Sequence, residues 1–140
     1  WNKSLLEGIL SSTKDPQVKL DEMFEWMINL QIRNEAKYGC VFGNLALEMS
    51  EHDEEFRQRL QVVFDTWEEK LQQVLREIMP NYQGHEEKIE KLSQSIIALL
   101  EGGTMLMKNK QDINVLINTT EMAKEIIDSF VQRETSRYKK

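Results

Sequence analysis

The sequence contains few residues that interrupt helices: there are two prolines and six glycines among 140 residues. Proline and glycine are the poorest helix formers, so their scarcity permits long uninterrupted helices. The alternating apolar and polar residues of a half-buried strand are also missing. Apolar residues recur instead at steps of three and four. We therefore predict an all-α fold, a bundle of about six helices.

Cysteine and long apolar runs are equally scarce. Cys40 is the single cysteine, which excludes an intrachain disulfide and favours a reducing, cytoplasmic setting. No run approaches the ~20 apolar residues needed to span a bilayer, and no signal-peptide pattern is present. We predict no association with a membrane. The sequence begins at Trp1 in the middle of an apolar pattern, so we expect a preceding segment in a longer protein.

Basic residues are in deficit. The chain has 18 Lys and Arg against 24 Asp and Glu, a net charge of −6 and a pI of about 5.0. Such a surface repels phosphate, whereas nucleic-acid binding usually needs a basic patch. A local excess of positive charge occurs only at the C-terminus, where a solvated helix end explains it: Arg133, Arg137, Lys139 and Lys140. We predict no direct contact of this chain with DNA.

The apolar pattern predicts four helices in the first part of the chain. A short one, with Leu5 to Leu10, ends in the polar run 11–14. Asp15 followed by Pro16 is a helix-start signal for a second helix that runs to about Asn34. A short helix carries Phe42, Leu45, Ala46 and Met49. The strongest single stripe belongs to the fourth helix: Phe56, Leu60, Val63, Phe64, Trp67, Leu71, Val74, Leu75 and Ile78.

The last two helices, about 85–108 and 112–133, each carry two apolar stripes. A helix with one buried face needs one stripe, so the second stripe predicts a second partner, and a two-fold dimer supplies it. The predicted interface residues are Ser95, Ala98, Gly102 and Leu106 with Val115, Thr119, Met122 and Ile126. Two glycines inside a helix also indicate close approach of a neighbouring helix. The alternative is that the second stripes are loosely packed helix ends.

Catalytic and metal-binding patterns are missing. His52 and His85 lie at predicted helix starts, and neither has a carboxylate or a second histidine three residues before it. No convergent acid, base or nucleophile and no phosphate loop can be assembled. We predict neither an enzyme nor a bound metal or cofactor. Cys40 lies at a helix start, where the helix dipole favours thiolate, so a redox sensor is one reading and a packed small apolar residue is the favoured one.

Methionine and aromatic side chains are concentrated on the predicted inner faces. Such residues build plain cores, and they also build adaptable apolar pockets where a bundle is incompletely filled. Gln31 and Asn34 continue the apolar face of their helix, so polar groups point where the core should be. They orient a ligand or mark the frayed end of the helix, and the pattern does not distinguish the two.

Three segments carry a family resemblance. Residues 39–50, Gly-Cys-Val-Phe-Gly-Asn-Leu-Ala-Leu-Glu-Met-Ser, resemble the sixth helix of many TetR-type (tetracycline-repressor-like) transcriptional regulators. Residues 51–57 resemble the helix opening that follows it, and Leu-Glu-Gly at 100–102 resembles a segment of the family's eighth helix. The resemblance extends in order and spacing from Asp15 to about Ile127.

The resemblance implies that residues 1–140 are the C-terminal effector-binding and dimerisation domain of such a regulator, often a repressor, with 1–13 the end of a linking helix. The DNA-binding helix-turn-helix domain is not in this sequence, so operator contact would come through that domain. The last two helices would pair with their copies as a dimeric four-helix bundle. A pocket for a small, largely apolar effector would be lined by Met23, Phe24, Met27, Gln31, Phe42, Phe64, Trp67 and Leu100. The alternative is a helical protein–protein interaction module without a ligand.

Overall fold

A computed structural model describes residues 2–79 and 86–138, and all of their regular structure is helical. A π-helix covers Asn2–Ile9 and is followed by α1 (Pro16–Arg33), α2 (Val41–Met49) and α3 (Glu54–Ile78). The long pair α4 (Glu86–Lys110) and α5 (Ile113–Tyr138) completes the described chain. The predicted all-α fold is confirmed. His85 and the predicted end of the fourth helix at Pro80 to Gly84 lie outside the described residues.

Side-chain caps start the first three α-helices. The Asp15 carboxylate accepts the backbone N–H of Gln17, and Pro16 occupies the first helical position. Asp53 caps α3 by accepting the N–H of Phe56 at 3.0 Å. Each cap satisfies a backbone donor that has no partner within its helix, which explains why these helices begin where they do.

The turn between α1 and α2 uses three residues with left-handed backbone, Glu35, Ala36 and Gly39, with φ of 55°, 57° and 68°. Glycine alone adopts this conformation without a Cβ penalty, so Gly39 is the natural breaker between the two helices. The turn folds back far enough for Ala36 to be buried beside Met107 and Leu116. This turn later forms one wall of the candidate site.

The main core lies between the π-helix and helices α1, α3, α4 and α5. Trp67, Leu71 and Leu75 of α3 are fully buried in it, which agrees with the single stripe of that helix. Leu5 and Leu6 of the π-helix pack into the same cluster. A partly buried ion pair between Lys19 and Glu77, at 3.0 Å, joins α1 to α3 at the edge of the core. The π-helix is therefore anchored to the elements that carry the candidate site.

Helices α4 and α5 form the most extensive helix pair of the fold. They approach closely at Gly103, where an added Cβ would lie 2.5 Å from Thr119 Oγ1 and 2.7 Å from Thr119 Cβ. The predicted close approach at the glycine pair is thus made within the chain at Gly103. At Gly102 an added Cβ meets nothing within 4 Å, so this glycine faces open space.

None of the described helices combines the length and the apolar character needed to cross a membrane.

Candidate ligand-binding site

A cavity of about 450 Å³ opens between the C-terminal end of α1, the turn that follows it, and the side of α4; we call it the first cavity. Pockets for small molecules start near 300 Å³, so its size suits one. Its wall is mainly apolar and aromatic, with a few polar groups. The lining residues are Trp26, Met27, Leu30, Gln31, Asn34, Tyr38, Gly39, Cys40, Val41, Asn44, Trp67, Glu101, Thr104 and Lys108.

Gln31 carries one of the polar groups of this wall. The side chain is 4% exposed, and its Nε2 donates to the carbonyl of Gly39 at 3.1 Å. This hydrogen bond holds the turn that contains Gly39 against α1. It also fixes the amide so that the nitrogen faces Gly39 and the oxygen faces away from it. The amide oxygen Oε1 is buried and has no hydrogen-bond partner among the described residues. A buried acceptor without a partner costs free energy, which a ligand or an ordered water would recover.

The carboxyl of Glu101 is the second polar group described on this wall. Glu101 lies on α4, two turns before Lys108. Burial raises the pKa of its carboxyl above the ordinary value, and the hydrogen bond with Cys40 opposes that rise. Its Oε1 is buried without a hydrogen-bond partner among the described residues. Gly43 of α2 faces this carboxylate so closely that any Cβ there would collide with Oε2. The glycine thus makes room for the acid.

Cys40 caps α2, and its Sγ accepts the N–H of Gly43 at 3.5 Å. Burial and the neighbouring charge of Glu101 raise the pKa of the thiol to about 12. The expectation that the helix start favours thiolate is therefore wrong, because desolvation and a like charge outweigh the backbone N–H groups of α2. Cys40 is a half-buried thiol at the edge of the first cavity, and its raised pKa favours the protonated form.

A second cavity of about 280 Å³ lies on the other side of α2. It shares Cys40, Asn44, Glu101 and Thr104 with the first cavity and adds Phe64. Helix α2, between the two cavities, has no buried residue, and Leu47 and Val41 are 77% and 58% exposed. Helices with few buried contacts open at low free-energy cost. Helix α2 is therefore the least firmly packed wall of the site.

The predicted ligand contacts divide into four groups. Met27, Gln31 and Trp67 line the first cavity, and Phe64 lines the second. Phe42 is half-buried on α2 and lines neither. The structure places Met23, Phe24 and Leu100 in the packed core. Phe24 lies instead beneath the Lys124 ammonium, 5.6 Å from its ring centroid.

Several lining residues were not predicted, with Glu101 first among them. The sequence signal for Glu101 was an acidic residue in an otherwise apolar segment of α4, with the small residues Gly43 and Gly102 able to leave room for it. That signal could not be read from the sequence, because Gly43 comes close to Glu101 only when α2 packs on α4. Trp26 and Tyr38 were missed because they lie off the apolar stripe of α1 and in the following turn.

The outer face of α4 and α5 consists of residues predicted to form an interface: Ser95, Ala98, Gly102, Leu106, Met122 and Ile126. Leu106, Met122 and Ile126 are 48%, 51% and 41% exposed. Val115 and Thr119, which were predicted with them, are half-buried: Val115 packs against the cluster around Met107, and Thr119 against Gly103. An apolar group of this kind on one face is uncommon on a monomer.

Among the described residues, no three His, Cys, Asp or Glu side chains are grouped so that they could hold a metal ion. His52 is exposed in the turn before α3, and His85 is outside the described residues.

Comparison with known proteins agrees with this architecture. A family model for the C-terminal domain of LmrA/YxaF-like transcriptional regulators matches residues 16–122. The chain is also 33% identical, over 132 residues, to an uncharacterized HTH-type transcriptional regulator in the lacX 3′ region of Lactococcus lactis subsp. lactis. That match covers 89% of the chain and 62% of the relative, so the chain spans less than two thirds of the relative's length. No solved structure is significantly similar to the chain.

Proposed function

The chain belongs to the TetR-type transcriptional regulators, as a C-terminal domain of the LmrA/YxaF-like group, and we propose that it senses a small, largely apolar effector. The first cavity carries this proposal. It combines an apolar wall around Trp26, Trp67 and Met27 with two buried oxygens that have no partner among the described residues. A packed core leaves no such volume, and polar atoms inside one are normally paired. The family is one of regulators, and we propose no catalytic role.

The effector would act on DNA binding through the rest of the longer protein. In this proposal an effector favours one arrangement of the dimer over another, and the DNA-binding domains follow that shift. The π-helix offers the route, because Leu5 and Leu6 pack in the same cluster as Trp67, which lines the first cavity. A shift from mostly competent to mostly incompetent takes a differential affinity of a few kcal/mol.

We also propose that the chain dimerises through the outer face. Leu106, Met122 and Ile126 are exposed together along the α4–α5 pair, and a two-fold axis would let each copy cover the other's apolar residues. The open space over Gly102 would let a facing helix approach closely. A stable interface of this type buries at least ~1,000 Å² in total.

Ligand binding is tested by thermal unfolding against a library of apolar and amphipathic compounds. At a hundred times its dissociation constant a ligand stabilises the fold by about 2.7 kcal/mol. Leu30→Trp should narrow the first cavity and reduce the shift given by hits, because Leu30 lines it. Ile32→Trp is the matched control, two residues along α1 and 53% exposed. Hits that stabilise Leu30→Trp as much as Ile32→Trp would place the ligand elsewhere and contradict the proposal.

A further inference from the structure

Two buried oxygens mark the polar part of the first cavity's wall. Its two buried acceptors, Oε1 of Gln31 and Oε1 of Glu101, have no partner among the described residues. Gln31 is more than nine-tenths buried, and its amide orientation is set by the Gly39 carbonyl, which would repel the oxygen if the amide were flipped. Both acceptors lie on the wall of the same cavity.

Two of the side-chain donors that line the cavity are used within the chain. The Asn44 amide donates to the carbonyl of Tyr38 at 2.9 Å, and the Thr104 hydroxyl donates to the carbonyl of Leu100 at 2.8 Å. Lys108 also lines the cavity, but from the exposed end of α4. A molecule that pairs with Oε1 of Gln31 or of Glu101 must bring a donor of its own.

We propose that the effector is an alkylamine with an aromatic body: its protonated nitrogen donates to Oε1 of Glu101, and the aromatic body packs against Trp26 and Trp67. This inference rests on the proposed sensing function and names the chemistry of the same site. A cation is favoured over a neutral donor for two reasons. It offsets the desolvation of the Glu101 carboxylate, which a neutral hydroxyl does not, and aromatic faces attract cations.

Three anthracenes of one shape and different charge test the proposal: 9-(aminomethyl)anthracene, 9-anthracenemethanol and 9-anthracenecarboxylate. Calorimetric titration of the chain with each compound should show the amine binding at least tenfold more tightly than the alcohol. The carboxylate should bind most weakly. Glu101→Gln should abolish the preference for the amine and leave the affinity for the alcohol within about threefold. Glu69→Gln, an exposed site on α3 outside both cavities, removes the same charge and should retain the preference.

The pH dependence in the unaltered chain provides a second measurement. A cation binds the ionised form of Glu101, whose pKa burial has raised, so amine affinity should rise with pH, by at most about tenfold per unit, until Glu101 is ionised. The other titratable groups on the wall are Cys40, Tyr38 and Lys108. All three remain in Glu101→Gln, so loss of the pH dependence in that variant assigns it to Glu101.

The outcomes separate the two proposals. If amine and alcohol bind equally to the unaltered chain, or the carboxylate binds best, and Leu30→Trp weakens their binding, the inference is overturned and the sensing function stands. If the amine preference persists in Glu101→Gln, the inference is also overturned. If none of the three anthracenes binds, the inference is overturned, and the sensing function is judged by the compound library and by Leu30→Trp.

Discussion

Gly102 and Gly103 are adjacent on α4 and have opposite surroundings, so replacing each by alanine tests the α4–α5 packing directly. Alanine is about 0.8–1 kcal/mol better than glycine inside a helix, and both variants gain this term. At Gly102 nothing lies within 4 Å of the new methyl group, so Gly102→Ala should be stabilised by about that amount.

At Gly103 the new methyl group would overlap Thr119, with three of its atoms at 2.5 to 2.7 Å. Thr119 cannot rotate away cheaply, because its hydroxyl donates to the Val115 carbonyl at 2.8 Å and its own Cβ is one of the three atoms. The helices must therefore separate, and overpacking of this kind costs about 1–3 kcal/mol. After the helix term is subtracted, Gly103→Ala should be destabilised by roughly 0–2 kcal/mol, which puts it about 1–3 kcal/mol below Gly102→Ala.

Urea unfolding, monitored by circular dichroism, measures the difference in free energy of unfolding between the two variants. The urea midpoints Cm are compared with the same slope m for both variants. Because Gly102 lies on the outer face, both variants are made in a Met122→Glu background, where association should not contribute. Equal stability of the two variants, or a more stable Gly103→Ala, would show that α4 and α5 do not approach at Gly103 as described.

Four further outcomes are expected. Met122→Glu places like charges near the proposed axis, so sedimentation should find a monomer; an unchanged dimer would show that the interface is elsewhere. Burial raises the pKa of Glu101, so the folded state holds its proton more tightly than the unfolded state does, and stability is lost as pH rises through that raised pKa. The free energy of unfolding of Glu101→Gln, relative to the unaltered chain, should therefore increase from pH 4.5 to pH 8, and a constant difference would contradict this. With its pKa near 12, Cys40 at pH 8 is thiolate in roughly one molecule in ten thousand, so iodoacetamide should alkylate it at least about a hundredfold more slowly than in urea; equal rates would contradict its burial. This chain alone, with its net charge of −6, should not bind duplex DNA more tightly than about micromolar at physiological salt, and salt-sensitive tighter binding in a titration would overturn that.

The helices were predictable because their signals are local. Asp15 with Pro16, and Asp53 with the acidic residues after it, act on backbone groups within four residues, so the cap is readable without knowledge of the fold. The stripe from Phe56 to Ile78 has no exposed member. Burial along α3 follows from the 3.6-residue period alone.

The cavity was not predictable in the same way. A periodic pattern shows which face of a helix is turned inward, but the volume between inward faces depends on how far apart the helices lie. Phe24 and Met27 occupy one stripe of α1, yet Phe24 is in the packed core and Met27 is on the cavity wall. They lie about one turn apart, and only Met27, the one nearer the C-terminal end of α1, faces the first cavity.

Gln31 is the polar residue of the cavity wall that the sequence pattern predicted as a possible ligand contact. A polar side chain on an inward stripe is costly unless its groups are paired, so its presence indicated either a frayed helix end or a polar task. The structure removes the first reading: α1 continues through Arg33, and Gln31 is 4% exposed. One half of its amide has the structural task of holding Gly39, while the other half, the oxygen, has none within the described residues. Fraying therefore does not explain the polar residue, and a ligand-orienting role of the oxygen stays a proposal.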